Sequence, residues 1–175
     1  GQQPLARASA PSLTSSATFV GRTRELQELR ESFERARSGA QLVALVGESG
    51  VGKTALVRRF ISNVTARDAT VVVLRGACYE REAVPFKAVD GVIDSLSQYL
   101  QKLPKPEAAA VLPRRTALLA QVFPVLRRIE AIAEAPLLTE EALDPREQRS
   151  RMFGALRELF QRLADRRPVV VVIDD

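Results

Sequence analysis

The sequence of 175 residues predicts an α/β fold with a mainly parallel sheet. Three short apolar runs are predicted strands, at residues 42–46, 70–74 and 169–173, and the second is dense in β-branched side chains. Between the strands, apolar residues recur with the period of an α-helix. Strands that alternate with helices are typical of parallel sheets whose faces are covered by helices, and the prediction rests on this alternation.

The helix predicted before the first strand begins at Thr23, a candidate N-cap, and stops at Gly39. Its apolar positions share one face: Leu26, Leu29 and Phe33. A second helix is predicted over residues 53–66, directly after a glycine-rich turn. Its inner face is apolar: Leu56, Val57, Phe60 and Ile61. Each helix therefore presents one apolar face for packing.

The chain between the second and third strands is predicted to be mainly helical. A helical period of apolar residues runs from residue 86 to residue 100, after which Pro104 and Pro106 break the chain. Another helix is predicted over residues 115–133 despite Pro124.

The last helix has a well-defined predicted start. Asp144 is a candidate N-cap, Pro145 occupies the first helical position and Glu147 occupies the capping-box position. Six apolar side chains form its predicted buried stripe: Met152, Phe153, Leu156, Leu159, Phe160 and Leu163. The third predicted strand follows this helix.

The composition excludes several kinds of site. The chain has no histidine, which excludes a His-dependent catalytic triad and a His-ligated metal site within it. Its one cysteine, Cys78, excludes an internal disulfide and fits a reducing cytosol. No apolar run approaches the ~20 residues needed to span a bilayer. We therefore expect a cytoplasmic protein with no membrane partner.

The net charge of +5 and the isoelectric point near 10.0 leave nucleic-acid binding open as a function. The arginines, however, are dispersed and interleaved with glutamates, and the chain has few aromatic residues to stack on bases. This pattern favours a solvated surface of mixed charge. Nucleic acid is therefore not an expected partner of this segment.

Residues 1–18 differ in composition from the rest of the chain. They are rich in Ser, Thr, Ala, Pro and Gln and carry almost no apolar anchors, so burial cannot offset the entropy of ordering them. We expect a flexible linker there and an ordered domain over residues 19–175. Since linkers join domains, the segment predicts a larger parent protein with another domain upstream.

A glycine-rich motif follows the first predicted strand and matches the pattern G-x-x-x-x-G-K-[ST]. It consists of Gly47, Glu48, Ser49, Gly50, Val51, Gly52, Lys53 and Thr54. Glycines allow the backbone to curl so that successive N–H groups point at a phosphate, and the next helix adds its positive dipole end. Lys53 is expected between the β- and γ-phosphates and the Thr54 hydroxyl on Mg²⁺. An accidental glycine-rich turn is the alternative, and the flanking strand and helix argue against it.

The third predicted strand ends on two acids, Asp174 and Asp175. An acid in this place lies at the carboxyl edge of a buried strand, where open α/β sheets bind ligands. Asp174 is predicted to hold Mg²⁺ through water, and Asp175 to orient or deprotonate an attacking water. Taken alone, the pattern is equally typical of a core strand that ends in aspartate. The phosphate-binding motif upstream favours the functional reading.

Three segments together resemble a known family, the AAA+-related signal-transduction ATPases called STAND. These segments are Phe19-Val20-Gly21-Arg22 with Glu25-Leu26, then GESGVGKT, then VVVVIDD. The similarity covers residues 19–175 and is strongest to the bacterial branch fused to Ser/Thr kinases, nucleotide cyclases or LuxR-type DNA-binding domains.

The resemblance implies a three-layer α/β/α P-loop NTPase fold in which a fourth strand lies between the first and the third. It also implies ATP and Mg²⁺ as ligands, with an adenine site at Val20, Gly21 and Arg22. Lys53 and Asp175 are the implied catalytic residues. The family continues past the Walker B strand, so the chain resembles the N-terminal portion of an ATPase domain truncated at residue 175.

The function implied by the resemblance is a nucleotide switch for an attached output domain, with ATP or ADP bound, domains linked on both sides and nucleotide-dependent self-association. A DNA-associated AAA+ ATPase of the origin-binding or remodelling type is an alternative, suggested by the basic charge. A small-molecule kinase is a third possibility, against which the tandem Asp174-Asp175 argues.

Overall fold

The computed structural model describes residues 21–77, 87–133 and 144–174. Its one sheet within these residues has two parallel strands, β1 at Val72–Ala77 and β2 at Val169–Asp174. The register places Val72 opposite Val169 and Ala77 opposite Asp174. The helices, in chain order, are α1 Thr23–Arg35, α2 Lys53–Arg67, α3 Lys87–Leu100, α4 Lys105–Val111, α5 Thr116–Val122, the 3₁₀ helix Pro124–Arg128, α6 Glu130–Ala133 and α7 Pro145–Ala164. The α/β class and the parallel pairing were predicted correctly.

Helices pack on both faces of the two-stranded sheet. Side chains of successive strand residues point to opposite faces. Val72 and Leu74 of β1 join a large apolar cluster with α3 and α7 on one face. On the other face, Val71, which directly precedes β1, joins a smaller cluster built by α1 and α2. The sheet therefore separates two cores.

A short polar turn connects α2 to β1 and ends the helix. The backbone N–H of Thr70 and its hydroxyl both donate to Asp68 Oδ1, at 2.8 and 2.5 Å. The hydroxyl bond, followed by the backbone bond, lowers the pKa of the Asp68 carboxyl below its ordinary value. The chain thus turns within a few residues and enters β1.

The prediction of one helix over residues 115–133 is wrong. Helix α5 ends at Val122, and the 3₁₀ helix and α6 follow as separate elements. Pro124 has no N–H to donate, and its ring disfavours helical geometry at the preceding residue, Phe123, which has φ −119° and ψ 85°. Pro104 and Pro106 do more than break the chain, since they stand at the N-cap and in the first turn of α4.

The predicted start of α7 is confirmed and that of α1 is corrected. The backbone N–H of Arg146 donates to the Asp144 side chain at 3.4 Å, as an N-cap requires. In α1, Arg22 and not Thr23 is the capping position, and no side chain caps the helix there. Among the stripe residues of α7, Phe153 is 45% exposed, whereas Met152 and Leu159 are buried.

The prediction of a buried strand at residues 42–46 is wrong for this structure. No ladder among the described residues includes this segment, and Leu42 and Val46 are 98% and 94% exposed. A cavity of about 400 Å³ lies between the segment and β2, and its lining includes Phe33, Leu42, Val171 and Ile173. A strand needs a neighbour for its N–H and C=O groups, and here the neighbour on this side is missing.

No helix in the described part of the chain is both long and apolar enough to cross a membrane.

Candidate functional site

The glycine-rich motif forms a loop, residues 47–54, that runs directly into α2. Gly50 and Gly52 have φ of 81° and 90°, the left-handed region that glycine adopts without strain. Lys53 is the first residue of α2, and the Leu56 N–H donates to the Gly52 carbonyl at 2.9 Å. The first N–H groups of this helix have no partner within it, and they lie at its positive dipole end. The loop and helix start therefore favour an anion.

The Lys53 ammonium folds back over the start of this loop. It donates to the carbonyl of Gly47 at 2.8 Å and to that of Glu48 at 3.1 Å. Both acceptors are neutral, whereas phosphate oxygens are anionic and form stronger hydrogen bonds with an ammonium. The ammonium is thus held beside the loop backbone and can exchange these carbonyls for phosphate oxygens.

Thr54 and Asp174 are brought together although they lie 120 positions apart in the sequence. The Thr54 hydroxyl, in the first turn of α2, donates to Asp174 Oδ2 at the carboxyl end of β2, at 3.1 Å. Both side chains are exposed to solvent. The pair offers two hard oxygen ligands next to a phosphate-binding loop, and Mg²⁺ in nucleotide sites commonly takes one or two protein oxygens with phosphates and water. The residues present fit this ion.

Arg22 directly precedes the first residue of α1, and its side chain contacts the same loop. Its Nη2 donates to the carbonyl of Val51 at 2.6 Å, and its Nη1 lies 3.9 Å from Glu25 Oε1. Gly21 and Arg22 both have positive φ, 95° and 57°, so the chain makes a tight left-handed turn before α1. Of the residues predicted for adenine binding, Arg22 therefore contacts the phosphate loop, and Gly21 precedes it in the turn.

Two predicted site residues, Val20 and Asp175, lie outside the described residues. Sequence reasoning missed the contact between Arg22 and Val51, because it depends on how α1 packs against α2 and not on any spacing along the chain. The available signal was the position of Arg22, whose guanidinium directly precedes α1, the helix that packs on the phosphate-loop helix α2.

Comparison with known proteins agrees with this geometry. A family model described as AAA ATPase domain matches residues 18–175, which include the phosphate loop, the Thr54–Asp174 pair and the turn at Arg22. No curated protein and no solved structure shows significant similarity to the chain. The family match spans most of the sequence and implies a P-loop fold that binds nucleotide. The chain belongs to the AAA ATPase domain family.

Proposed function

We propose that this chain is the ATP-binding and ATP-hydrolysing module of a larger cytoplasmic signal-transduction protein. The observation that carries the ATPase proposal is the hydrogen bond from Thr54 to Asp174 at the phosphate loop. The signalling role rests on the resemblance of the three sequence segments to signal-transduction ATPases and on the linker-like composition of residues 1–18. In this proposal the nucleotide state switches an attached output domain such as a kinase, a cyclase or a transcription regulator, and it also governs self-association.

Binding follows from the loop. The N–H groups of residues 47–54 surround the phosphates, and Lys53 exchanges two backbone carbonyls for anionic oxygens. Val20, Gly21 and the backbone of Arg22 flank the adenine. Thr54 and Asp174 hold Mg²⁺, which neutralises charge on the phosphates when bound.

Hydrolysis in this proposal needs a water in line with the bond between the β- and γ-phosphates. Asp175 directly follows Asp174 and orients that water. The water oxygen bonds to the γ-phosphorus, the bond to the bridging oxygen breaks, and ADP leaves with the bridging oxygen's electron pair. The water's proton passes to the Asp175 carboxylate and from there to solvent, while Lys53 stabilises charge on the transferred phosphoryl group.

Substitutions of Asp174 and Asp175 are expected to affect different steps, ATP binding and ATP hydrolysis. Asp174→Asn should weaken ATP affinity about tenfold in Mg²⁺ and little in EDTA, because a neutral amide is a poorer Mg²⁺ ligand. Asp175→Asn should leave affinity nearly unchanged and lower turnover at least about a hundredfold, since a group that positions water acts mainly in the transition state. Titration calorimetry and phosphate release measure the two effects.

The matched control is Asp165→Asn. Asp165 is an exposed carboxylate at the end of α7, next to the opposite end of β2 from Asp174. It should behave as the unaltered protein does in both assays. If the unaltered protein binds no ATP with Mg²⁺, or if both aspartate variants change affinity alone, the proposed roles are wrong.

We further propose the AAA+ strand order, in which another strand of the parent protein lies between residues 42–46 and β2. The open cavity between these segments supports this order, as does the absence of a ladder between Val43 and Val171 in the described part of the chain. A kinase-like P-loop sheet would pair these two segments directly. Apolar side chains line the cavity on both sides, Leu42 and Val43 on one and Val171 and Ile173 on the other, as is expected of the neighbours of a buried strand.

Extending the chain past residue 175 by the next strand of the parent should therefore stabilise it. Covering exposed side chains such as Leu42 and Ile173 should raise the free energy of unfolding by at least about 2 kcal/mol. Amide hydrogen exchange at residues 42–46 should slow at the same time, because those groups gain partners. Urea unfolding and exchange measurements on both lengths test this, and unchanged stability with unchanged exchange would rule out the proposed order.

A further inference from the structure

The contact between Arg22 and the phosphate loop has a consequence for how the loop binds anions. Arg22 Nη2 donates to the Val51 carbonyl at 2.6 Å, across 29 positions of sequence. Val51 and Gly52 share one peptide group, which lies in the middle of the glycine-rich loop. The guanidinium therefore fixes the orientation of a peptide group that belongs to the phosphate-binding backbone.

This peptide group is unusually free to rotate. Its orientation depends on ψ of Val51 and φ of Gly52, and Gly52 has φ 90°. Glycine adopts φ near −90° as readily as +90°, so the backbone alone does not select one orientation. In a trans peptide the C=O and N–H groups point in opposite directions. Holding the Val51 carbonyl towards Arg22 thus directs the Gly52 N–H away from Arg22.

We propose that Arg22 is a positioning residue for the phosphate loop: it holds the Val51–Gly52 peptide so that the Gly52 N–H faces the bound phosphates. This proposal rests on the proposed ATP binding and adds to it. Arg22 acts on the triphosphate through the Val51 carbonyl, so its effect does not depend on the base. The turn that presents it is itself in a left-handed conformation, with φ 57° at Arg22 after φ 95° at Gly21.

The contact with Glu25 does not explain this arrangement. That pair is 3.9 Å apart and both side chains are more than a third exposed, so it contributes little. The hydrogen bond to Val51, at 2.6 Å, is far shorter than this separation, so the loop carbonyl is the closer partner of the guanidinium.

The test compares ATP with inorganic tripolyphosphate, which has the phosphates but no base. Arg22→Ala should weaken the binding of both, in Mg²⁺, by the same factor of about ten. Arg22→Lys, which keeps a charged donor with less reach, should recover part of both losses. The control Arg24→Ala removes an exposed arginine of α1 that pairs only with Glu28 among the described contacts, and it should change neither affinity.

Displacement of a fluorescent ATP analogue measures both affinities on the same sample. A loss of ATP affinity with unchanged tripolyphosphate affinity would place Arg22 at the base and overturn the inference, as would no loss for either. If the unaltered protein binds neither ligand, the proposed function fails instead. If a circular dichroism melt shows that Arg22→Ala does not fold, Arg22→Gln, which has an uncharged donor, replaces it. This variant should also lose affinity for ATP and for tripolyphosphate by the same factor.

Discussion

Lys53→Ala is expected to lower ATP affinity about a hundredfold or more. The ammonium now donates to the carbonyls of Gly47 and Glu48, and in the complex it would donate to anionic phosphate oxygens. Hydrogen bonds to charged groups contribute roughly 1.5–3 kcal/mol each, and two such bonds account for the expected loss. The loop should keep its shape, because Arg22 still donates to the Val51 carbonyl and holds the peptide group there. Titration calorimetry with ATP and Mg²⁺ measures the change.

The matched control for this prediction is Lys102→Ala. Lys102 is exposed just after α3, so removing it takes away one positive charge without touching the loop. Its affinity for ATP should stay within about twofold of the unaltered protein, since surface charges act weakly at a distance in salt. Equal affinity for the Lys53 variant and the control would show that the loop binds no triphosphate through this side chain.

Leu74→Ala is expected to have the largest effect on folding. Leu74 lies in β1 with its side chain fully buried in the larger cluster. Truncating a buried leucine removes apolar contacts and leaves a cavity, which costs about 2–5 kcal/mol. The free energy of unfolding in urea should fall by that amount, and the melting temperature should fall accordingly.

Leu42→Ala is the matched variant, because it makes the same chemical change at a side chain that is 98% exposed. Its effect should stay within about 0.5 kcal/mol, as at other exposed surface positions. If the two variants lost equal stability, Leu42 would be buried in solution and the open cavity beside β2 would not describe the folded chain.

The features that were predictable from sequence depend on short-range patterns. The phosphate loop consists of eight consecutive residues, and the Asp144 cap of four, so neighbouring residues determine each conformation. Thr54 and Asp174 were each predicted at the magnesium site, and their proximity follows because carboxyl ends of strands meet helix starts at one edge of a parallel sheet. These are local rules or simple consequences of topology.

The features that were not predictable depend on partners distant in sequence. Residues 42–46 have the apolar pattern of a strand, but a strand forms only beside a neighbour, and the cavity occupies that place. The break before Pro124 was visible in principle, yet the helical period on either side outweighed it. The contact of Arg22 with Val51 depends on how α1 packs on α2, and the pattern of apolar residues does not determine that packing.

The division of the core into two clusters also sets how the chain opens. Among the described residues, the cluster of α1 and α2 has six buried members, whereas the cluster on the other face has twenty. Regions with fewer buried contacts open locally at a lower free energy than the whole protein unfolds. The phosphate loop, α2 and Arg22 all lie on the smaller side, so the site belongs to the less cooperative part of the molecule. Nucleotide binding would therefore suppress local opening of that side at nucleotide concentrations too low to change the global melting temperature.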